Sequence, residues 1–303
     1  RERRRPSAFL IAGTGVHKGI EYDLLNKVDT GNLLPMDAVS DVVAQEVSTK
    51  ENWEDVELED DEKNVGKENL IGKTKDKAIR LVTIHHKEIA PDIDPLPRSN
   101  KLPNGGVSRK FSINLDGFLR ERAKQFYEDA DRTNDRTTRK YLQSLALSLN
   151  AAARQGFDFC GEVDIQHVRH GRLWIRDSKT AGKSPAKDKE TGRYSVADNS
   201  EQLSAYALAI KVLDGQMPDG VALDFLIDTK EPKKIICEST RTIADAEMFL
   251  NRVISAVHVI KTGSFIPAST NSWWCSKKWC GFWDSCIYAS REKKSSQLVN
   301  IDF

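Results

Sequence analysis

The segment from Gly161 to Thr180 constrains the fold more than any other. Gly161-Glu162-Val163-Asp164-Ile165-Gln166 and Leu173-Trp174-Ile175-Arg176-Asp177-Ser178-Lys179-Thr180 read as two short strands joined by a tight turn at His170-Gly171. Glycine at the second turn position accepts the positive φ that a two-residue hairpin loop requires. A turn centred between 170 and 171 pairs residues whose numbers sum to 341, and Asp164 and Asp177 meet that sum. The two carboxylates are then expected to be cross-strand neighbours with Cβ atoms roughly 5 Å apart. Strand alternation puts Lys179 on the side of Asp177 and turns Ser178 away, so two acids and a lysine converge.

Two facing aspartates repel each other unless one holds a proton or a divalent cation sits between them. All-oxygen ligation suits Mg²⁺ or Mn²⁺, which take one or two carboxylates plus waters and substrate phosphate. Such an ion acidifies a bound water and neutralises charge building up on a phosphodiester. Lys179 adds a compact positive charge that can orient the attacking water or stabilise the transition state. An ordinary surface hairpin with a cross-strand ion pair would carry the same letters; the matched register and the flanking segments favour chemistry. Arg176 in the second strand predicts that one of its faces stays wet or meets a partner.

Asp164 followed by Asp177-Ser178-Lys179 resembles the PD-(D/E)XK nuclease superfamily, in its RecB-like branch. The resemblance implies that Asp164 and Asp177 bind the metal, that the backbone carbonyl of Ser178 assists, and that Lys179 is catalytic. Downstream, Asp198-Asn199-Ser200 offers N-cap residues before an amphipathic run, so residues 199–213 are expected to be helical. Gln202 and Tyr206 stack on one face at i and i+4, and the pair resembles the Q-x-x-x-Y motif of RecB-like and Cas-associated exonucleases, where it helps position the DNA strand. Upstream, Gly13-Thr14-Gly15-Val16-His17-Lys18-Gly19-Ile20-Glu21 is expected to open a helix capped by Thr14, over residues 14–27. Glycines 13, 15 and 19 would let it pack closely while lowering its intrinsic stability. The pattern G-T-x-V-H-x-x-x-E resembles the first motif of the same branch, which implies His17 as a metal ligand or water-positioning group, with Glu21 one turn on.

Three of the five cysteines, Cys275, Cys280 and Cys286, lie among Trp273, Trp274, Trp279 and Trp283; Cys160 and Cys237 sit singly in strand-like apolar surroundings and read as core residues. Clustered cysteines in a chain without secretory features suggest metal rather than disulfides, yet tetrahedral thiolate sites want four ligands. The tail resembles that of iron–sulfur nucleases in the RecB-like branch, which implies a 4Fe-4S cluster completed by a cysteine ahead of the histidine motif. Only a dozen residues precede Gly13, so that segment is expected to be absent or the pattern altered. An incomplete iron–sulfur cluster, a zinc site, and an apolar tryptophan cap with no metal remain open.

From residue 158 the order reads strand, strand, helix (199–213), strand (220–228), strand (233–240), helix (242–262), then the cysteine tail, with a further strand at 111–115 and helix over 117–155. This is an α/β fold, a mixed central β-sheet flanked by helices with a helical insertion, compatible with the restriction-endonuclease-like core that the resemblance implies. We read residues 1–303 as a single nuclease domain, 31–157 as an insertion with acidic and helical segments, and 265–290 as a cysteine-rich tail packing on the core. Residues 51–62 hold eight acids and no base, which reads as a solvated face or mobile segment; residues 90–110 read as a long loop.

Thirty per cent charged and 39 % hydrophobic residues fit a soluble globular protein. No apolar run approaches the ~20 residues that span a bilayer, and the apolar stretch after Arg1–Arg5 is too short for a signal peptide; a cytoplasmic setting, in a bacterial or phage-infected cell, is expected. A net charge of +1 argues against indiscriminate nucleic-acid coating but leaves room for local basic patches. Lys179, Lys183, Lys187, Lys189 and Arg193 form one candidate, and Lys277, Lys278, Arg291, Lys293 and Lys294 another. The reading that follows is a Mg²⁺- or Mn²⁺-dependent DNA exonuclease without membrane contact. A non-catalytic nucleic-acid-binding module with a vestigial site, and a zinc-organised interaction domain, are the competing readings.

Overall fold

The computed structural model describes residues 7–264 apart from 55, 57, 59–61, 63, 155 and 157, together with 268, 269, 272, 274–276, 280, 282, 283 and 286. In chain order the elements are α1 (Ala8–Thr30), α2 (Met36–Ser48), α3 (Lys67–Glu88), β1 (Asp94–Pro95), β2 (Val107–Asn114), α4 (Asp116–Arg132), α5 (Arg136–Ala153), β3 (Asp158–Arg169), β4 (Arg172–Ala181), α6 (Glu201–Asp214), β5 (Gly220–Ile227), β6 (Lys233–Ser239) and α7 (Ile243–Thr262). They form an α/β fold: one mixed sheet with helices on both faces. None of the helices among the described residues is long and apolar enough to cross a membrane.

The sheet grows from the β3–β4 hairpin. His170 and Gly171 both have positive φ, 53° and 73°, the geometry of a two-residue turn whose twist matches the flanking strands. Pairing runs from Arg169↔Arg172 to Ile165↔Arg176, in the register read from the sequence. Along the outer edge of β3 lie β1 and then β2, both antiparallel to it; on the other side the order is β4, β5, β6. Only β4 and β5 are parallel, and α6 makes the crossover between them, as a parallel connection requires.

Each face of the sheet buries its own core. Val107, Ile165 and Leu226 face α1, α2 and α3, whereas Val163, Ile175, Leu223 and Cys237 face the layer of α4 to α7. Val163 and Ile165 are two apart on one strand and would share a face in a regular pleat; instead they join opposite cores. Ser108, which falls opposite Asp164 in the β2–β3 register, has a φ of 47°. A non-glycine residue in the left-handed region is uncommon and strained. Ser108 and Asp164 thus mark the step at which the sheet edge exchanges its inner and outer sides.

Several expectations are corrected. The first helix starts at Ala8, capped by Ser7 (Leu10 N donates to Ser7 Oγ at 3.4 Å), and Thr14 lies inside it with its hydroxyl donating to Leu10 O. His17 is therefore mid-helix. The cluster of weak helix formers looks like a helix start, but close packing offsets their low propensity: an added Cβ would lie 2.6 Å from Val47 Cγ2 at Gly15 and 2.5 Å from Val43 Cγ2 at Gly19. The predicted loop over 90–110 contains β1 and the start of β2, because Val107 joins the ladder through Ile165. Arg176 is neither wet nor at an interface. It is 4 % exposed and makes a two-pronged ion pair with the fully buried Asp224, Nε to Oδ2 at 2.8 Å and Nη2 to Oδ1 at 2.6 Å. Cys237 is buried as expected, but Cys160 is exposed, its thiol on Ser112 Oγ.

Two long helices were not foreseen. α2 carries Val39, Val43 and Val47 at four-residue spacing, and α3 carries Leu70, Thr74, Ala78, Leu81, Val82 and His85; both are amphipathic stripes that periodicity would have revealed. Of the acidic block, Trp53 is buried with Nε1 donating to Val47 O, while Asp55, Glu57, Glu59, Asp60 and Asp61 lie outside the described residues, as do Arg1–Arg5.

Two predictions follow from this packing. Gly19→Ala drives a methyl into Val43 and Val82, β-branched side chains with few alternative rotamers; we expect a loss of about 1–3 kcal/mol by urea denaturation despite alanine's better helix propensity. His85 and His167 are buried with no hydrogen-bond partner on either ring nitrogen. Burial, and then the Arg176 guanidinium, push each down to about 3. Their contribution is full above the unfolded value near 6.5 and is lost as pH falls from there towards 3, at about 2 kcal/mol per histidine by pH 5. His85→Leu should reduce the pH dependence of the urea midpoint between pH 7 and 5; an unchanged slope would refute the assignment.

Candidate active site

Asp177 and Lys179 project from β4 towards α6, with the Lys179 Nζ 2.7 Å from Asp177 Oδ2. The same ammonium donates to Gln202 Oε1 at 2.7 Å. Gln202 Nε2 donates to Asp177 Oδ1 at 2.8 Å and to the Tyr206 hydroxyl at 2.7 Å. Tyr206 Oη in turn donates to Asp164 Oδ1 at 3.3 Å, and Asp164 Oδ2 lies 3.3 Å from His17 Nδ1 on α1. The chemistry dictates the amide's orientation, since its carbonyl must meet the ammonium and its NH₂ the carboxylate. One chain of polar groups thus joins His17, Asp164, Tyr206, Gln202, Asp177 and Lys179, which brings together the acids, lysine, histidine and Q-x-x-x-Y pair singled out in the sequence.

The hairpin and two helices position these groups. Asp164 and Asp177 come one step beyond the last β3–β4 pair, Ile165↔Arg176, where β3 leaves β4 to run with β2. The break at Ser108 and Asp164 leaves Asp164 in reach of both α1 and α6. α6 is held at each end by an arginine that sequence reasoning missed. Arg241 donates to Ala197 O, Ser200 O and Ser204 Oγ at its start. Arg109 grips Asp214 at its end with two bonds of 2.6 and 2.9 Å, and also reaches Gln166. Neither arginine belongs to a local motif; each acts across a long stretch of chain.

Burial, reinforced by the neighbouring Asp164 carboxylate, pushes Asp177 up to about 6 against the pull of Lys179. For His17, burial lowers the pKa, but the contact with Asp164 and the charges of both acids outweigh it and hold it above the usual histidine value. Burial, and then the two carboxylates, drive the Tyr206 phenol far up, so Tyr206 stays protonated and acts only as a donor to Asp164.

A divalent cation fits these residues. Asp164 Oδ2 and Asp177 Oδ2 are buried without a hydrogen bond; their close neighbours, His17 and Lys179, meet them as ion pairs off hydrogen-bond geometry. Two carboxylate oxygens with spare lone pairs suit a hard cation, with the backbone carbonyl of Ser178 and His17 nearby. A cavity of about 190 Å³, lined by Thr14, His17, Glu21, Ser108, Asp164 and Ser178 among others, leaves room beside Asp164 for water and a phosphate oxygen. No group of three or more His, Cys, Asp or Glu side chains forms a ready-made metal cage among the described residues.

The tail offers no comparable fit. Cys275, Cys280 and Cys286 are partly buried free thiols, and among the described residues they do not assemble a metal cage. Trp274 is exposed and Trp283 partly buried; Trp273, Trp279, Lys277, Lys278, Arg291, Lys293 and Lys294 lie outside the described residues. In the loop after β4, Lys183, Lys187, Lys189 and Arg193 are exposed, with Lys187 Nζ 5.0 Å from the Tyr194 ring centroid.

Among known proteins, a family model described as the PD-(D/E)XK nuclease superfamily matches residues 1–287. No curated protein and no solved structure matches the chain.

The geometry makes the ionised Asp177 a burden on the fold. Its carboxyl is raised above the usual 3.8, so its contribution to stability is present in acid and is lost as pH rises through about 6. Without added metal, Asp177→Asn should therefore be more stable than the parent at pH 8, by about 1–3 kcal/mol, with the gap closing below pH 5. Urea denaturation at both pH values reads this, and a variant less stable at pH 8 would contradict it.

Proposed function

The chain belongs to the PD-(D/E)XK nuclease superfamily, and on that premise we propose that it is a divalent-metal-dependent deoxyribonuclease acting as an exonuclease. The observation that carries the reading is the unbroken polar chain from His17 to Lys179, with a donor-free buried oxygen on each aspartate. Asp164, Asp177, His17 and the Ser178 carbonyl hold Mg²⁺ or Mn²⁺. When bound, the cation neutralises charge on the scissile phosphate and acidifies a water.

Lys179 has three N–H donors; Gln202 engages one, while Asp177 meets the ammonium as an ion pair. The ammonium keeps donors to hold the attacking water or a phosphate oxygen. Gln202 sets where that ammonium stands, because its carbonyl holds the lysine while its amide holds Asp177. Tyr206, locked as a donor, fixes the orientation of Asp164. His17 Nδ1 faces Asp164 Oδ2, which leaves Nε2 to position a water at the edge of the cavity. Gln202 is itself exposed at the mouth of the site, where it and Tyr206 steer the strand. The exonucleolytic mode is supported by the likeness of Gln202-x-x-x-Tyr206 to the motif of RecB-like exonucleases, and DNA as substrate by the same likeness.

End-labelled linear DNA and closed circular DNA, incubated with Mg²⁺, Mn²⁺ or EDTA, test the reading. We expect loss of linear DNA alone, only with metal, and a rate reduced about 10²–10³-fold in Lys179→Ala, the scale of losing one transition-state donor. Cleaved circles would make the enzyme an endonuclease. No cleavage with any ion would favour a nucleic-acid-binding module with a vestigial site.

A further inference from the structure

We propose that the outward face of α5 is a docking surface for the DNA backbone beyond the cleavage site, a proposal that rests on the nuclease reading above. α5 runs from Arg136 to Ala153 without a single acidic residue, although the chain as a whole has 45 Asp and Glu among 303 residues. At that average a helix of this length would hold about three. Arg136, Lys140, Tyr141, Ser144 and Ser148, with Arg154 just past the helix end, are all exposed and fall within one side of the helix at 100° per residue, with Leu147 exposed among them. Cations, hydroxyls and a tyrosine are the side chains that contact phosphate and sugar.

These cations are uncommitted. Arg136, Lys140 and Arg154 make no ion pair among the described residues, whereas on the neighbouring α4 Lys124 and Arg132 pair with Glu128 and Asp129. Arg139, the remaining base of α5, is spent on the turn, donating to Ala130 O and Thr133 O. The inner side of the helix is packed. Ala146, Leu149, Ala152 and Ala153 are buried against Leu119 and Ala123 of α4 in the core shared with α6, and Arg122 pairs with Glu247 of α7.

Its place in the chain ties it to the site. α5 ends at Ala153, and β3 begins at Asp158 and carries Asp164. The α5 face is about 27 Å long, more than the ~20 Å of a six-base-pair duplex at ~3.4 Å each, so DNA that short cannot occupy the site and also run the length of the face.

The experiment uses the full chain, a six-base-pair DNA hairpin and a 30-base-pair duplex. Affinity is measured by fluorescence anisotropy in EDTA over a range of salt, and turnover of both DNAs is measured in Mg²⁺. Lys140→Glu/Arg154→Glu changes two exposed positions and leaves the helix core untouched. We expect the variant to bind the 30-base-pair duplex at least tenfold more weakly, to lose about two units from the slope of log K against log salt, and to turn over the hairpin as the parent does. Unchanged affinity for the long duplex overturns the proposal. So does an equal loss on both lengths, or an effect confined to self-association in sedimentation, which would make the face a contact between copies. If the parent binds but cleaves nothing, while the variant still loses long-duplex affinity, the nuclease reading fails and the docking surface stands.

Discussion

The site is organised around the burial of a charge. Asp177 is 1 % exposed, and an ionised carboxylate so far from water is costly unless hydrogen bonds and opposite charge answer it. Lys179 answers one oxygen and Gln202 the other, and Gln202 can do so only because its carbonyl is held by the same lysine. Tyr206 extends the arrangement to Asp164. The supply is incomplete: each aspartate keeps one buried oxygen without a donor, and burial beside Asp164 pushes Asp177 up to about 6. In a structure with no other purpose such a deficit would be replaced by apolar packing. Here it persists where two carboxylates, a lysine and a histidine converge, the kind of perturbed cluster that marks a candidate functional site.

The backbone has to be irregular to make this possible. A continuous β3–β4 ladder would keep Asp164 on one face, with access to α6 alone. The ladder stops at Ile165↔Arg176, Ser108 takes a left-handed conformation, and the strand exchanges its sides between Val163 and Ile165. Asp164 then meets Tyr206 from one helix layer and His17 from the other. α1 can bring His17 that close because its glycines admit the valines of α2 and α3 to the helix backbone.

Much of this was legible because it is local. The turn at His170-Gly171 sets the hairpin register by counting, strand alternation puts Asp177 beside Lys179, and four-residue helical spacing puts Gln202 beside Tyr206. The α/β order from residue 158 onward was read from the same periodicities, and the caps at Ser200 and Thr242 fall where those helices begin. What escaped is non-local. Arg176 looked like a surface residue because its partner Asp224 is 48 positions away on a crossover strand. Arg109 and Arg241 hold α6 from 105 and 37 positions away. The break at Ser108 leaves no trace in composition, since serine is not a residue that advertises positive φ. The glycines of α1 were given their packing role from sequence, yet the helix boundary was misplaced because low propensity and close packing point in opposite directions until the partner helices are known.

Arg176 and Asp224 also bear on the side of the sheet that carries Asp177 and Lys179, although they face away from it. β4 and β5 are parallel and joined only through α6, so no tight turn fixes their register, and a slip of one residue would move every side chain of one strand to the other face. A buried two-pronged ion pair penalises such a slip heavily, because either partner left alone in the core costs several kcal/mol. With Arg176 locked to Asp224, the next residue, Asp177, is held pointing at α6. The neutral rings of His85 and His167 close the guanidinium off from water without adding a competing charge. The ion pair beneath α3 thus acts as a register pin, and its consequence is felt on the opposite face, where the geometry of Asp177, Gln202 and Lys179 tolerates no slip.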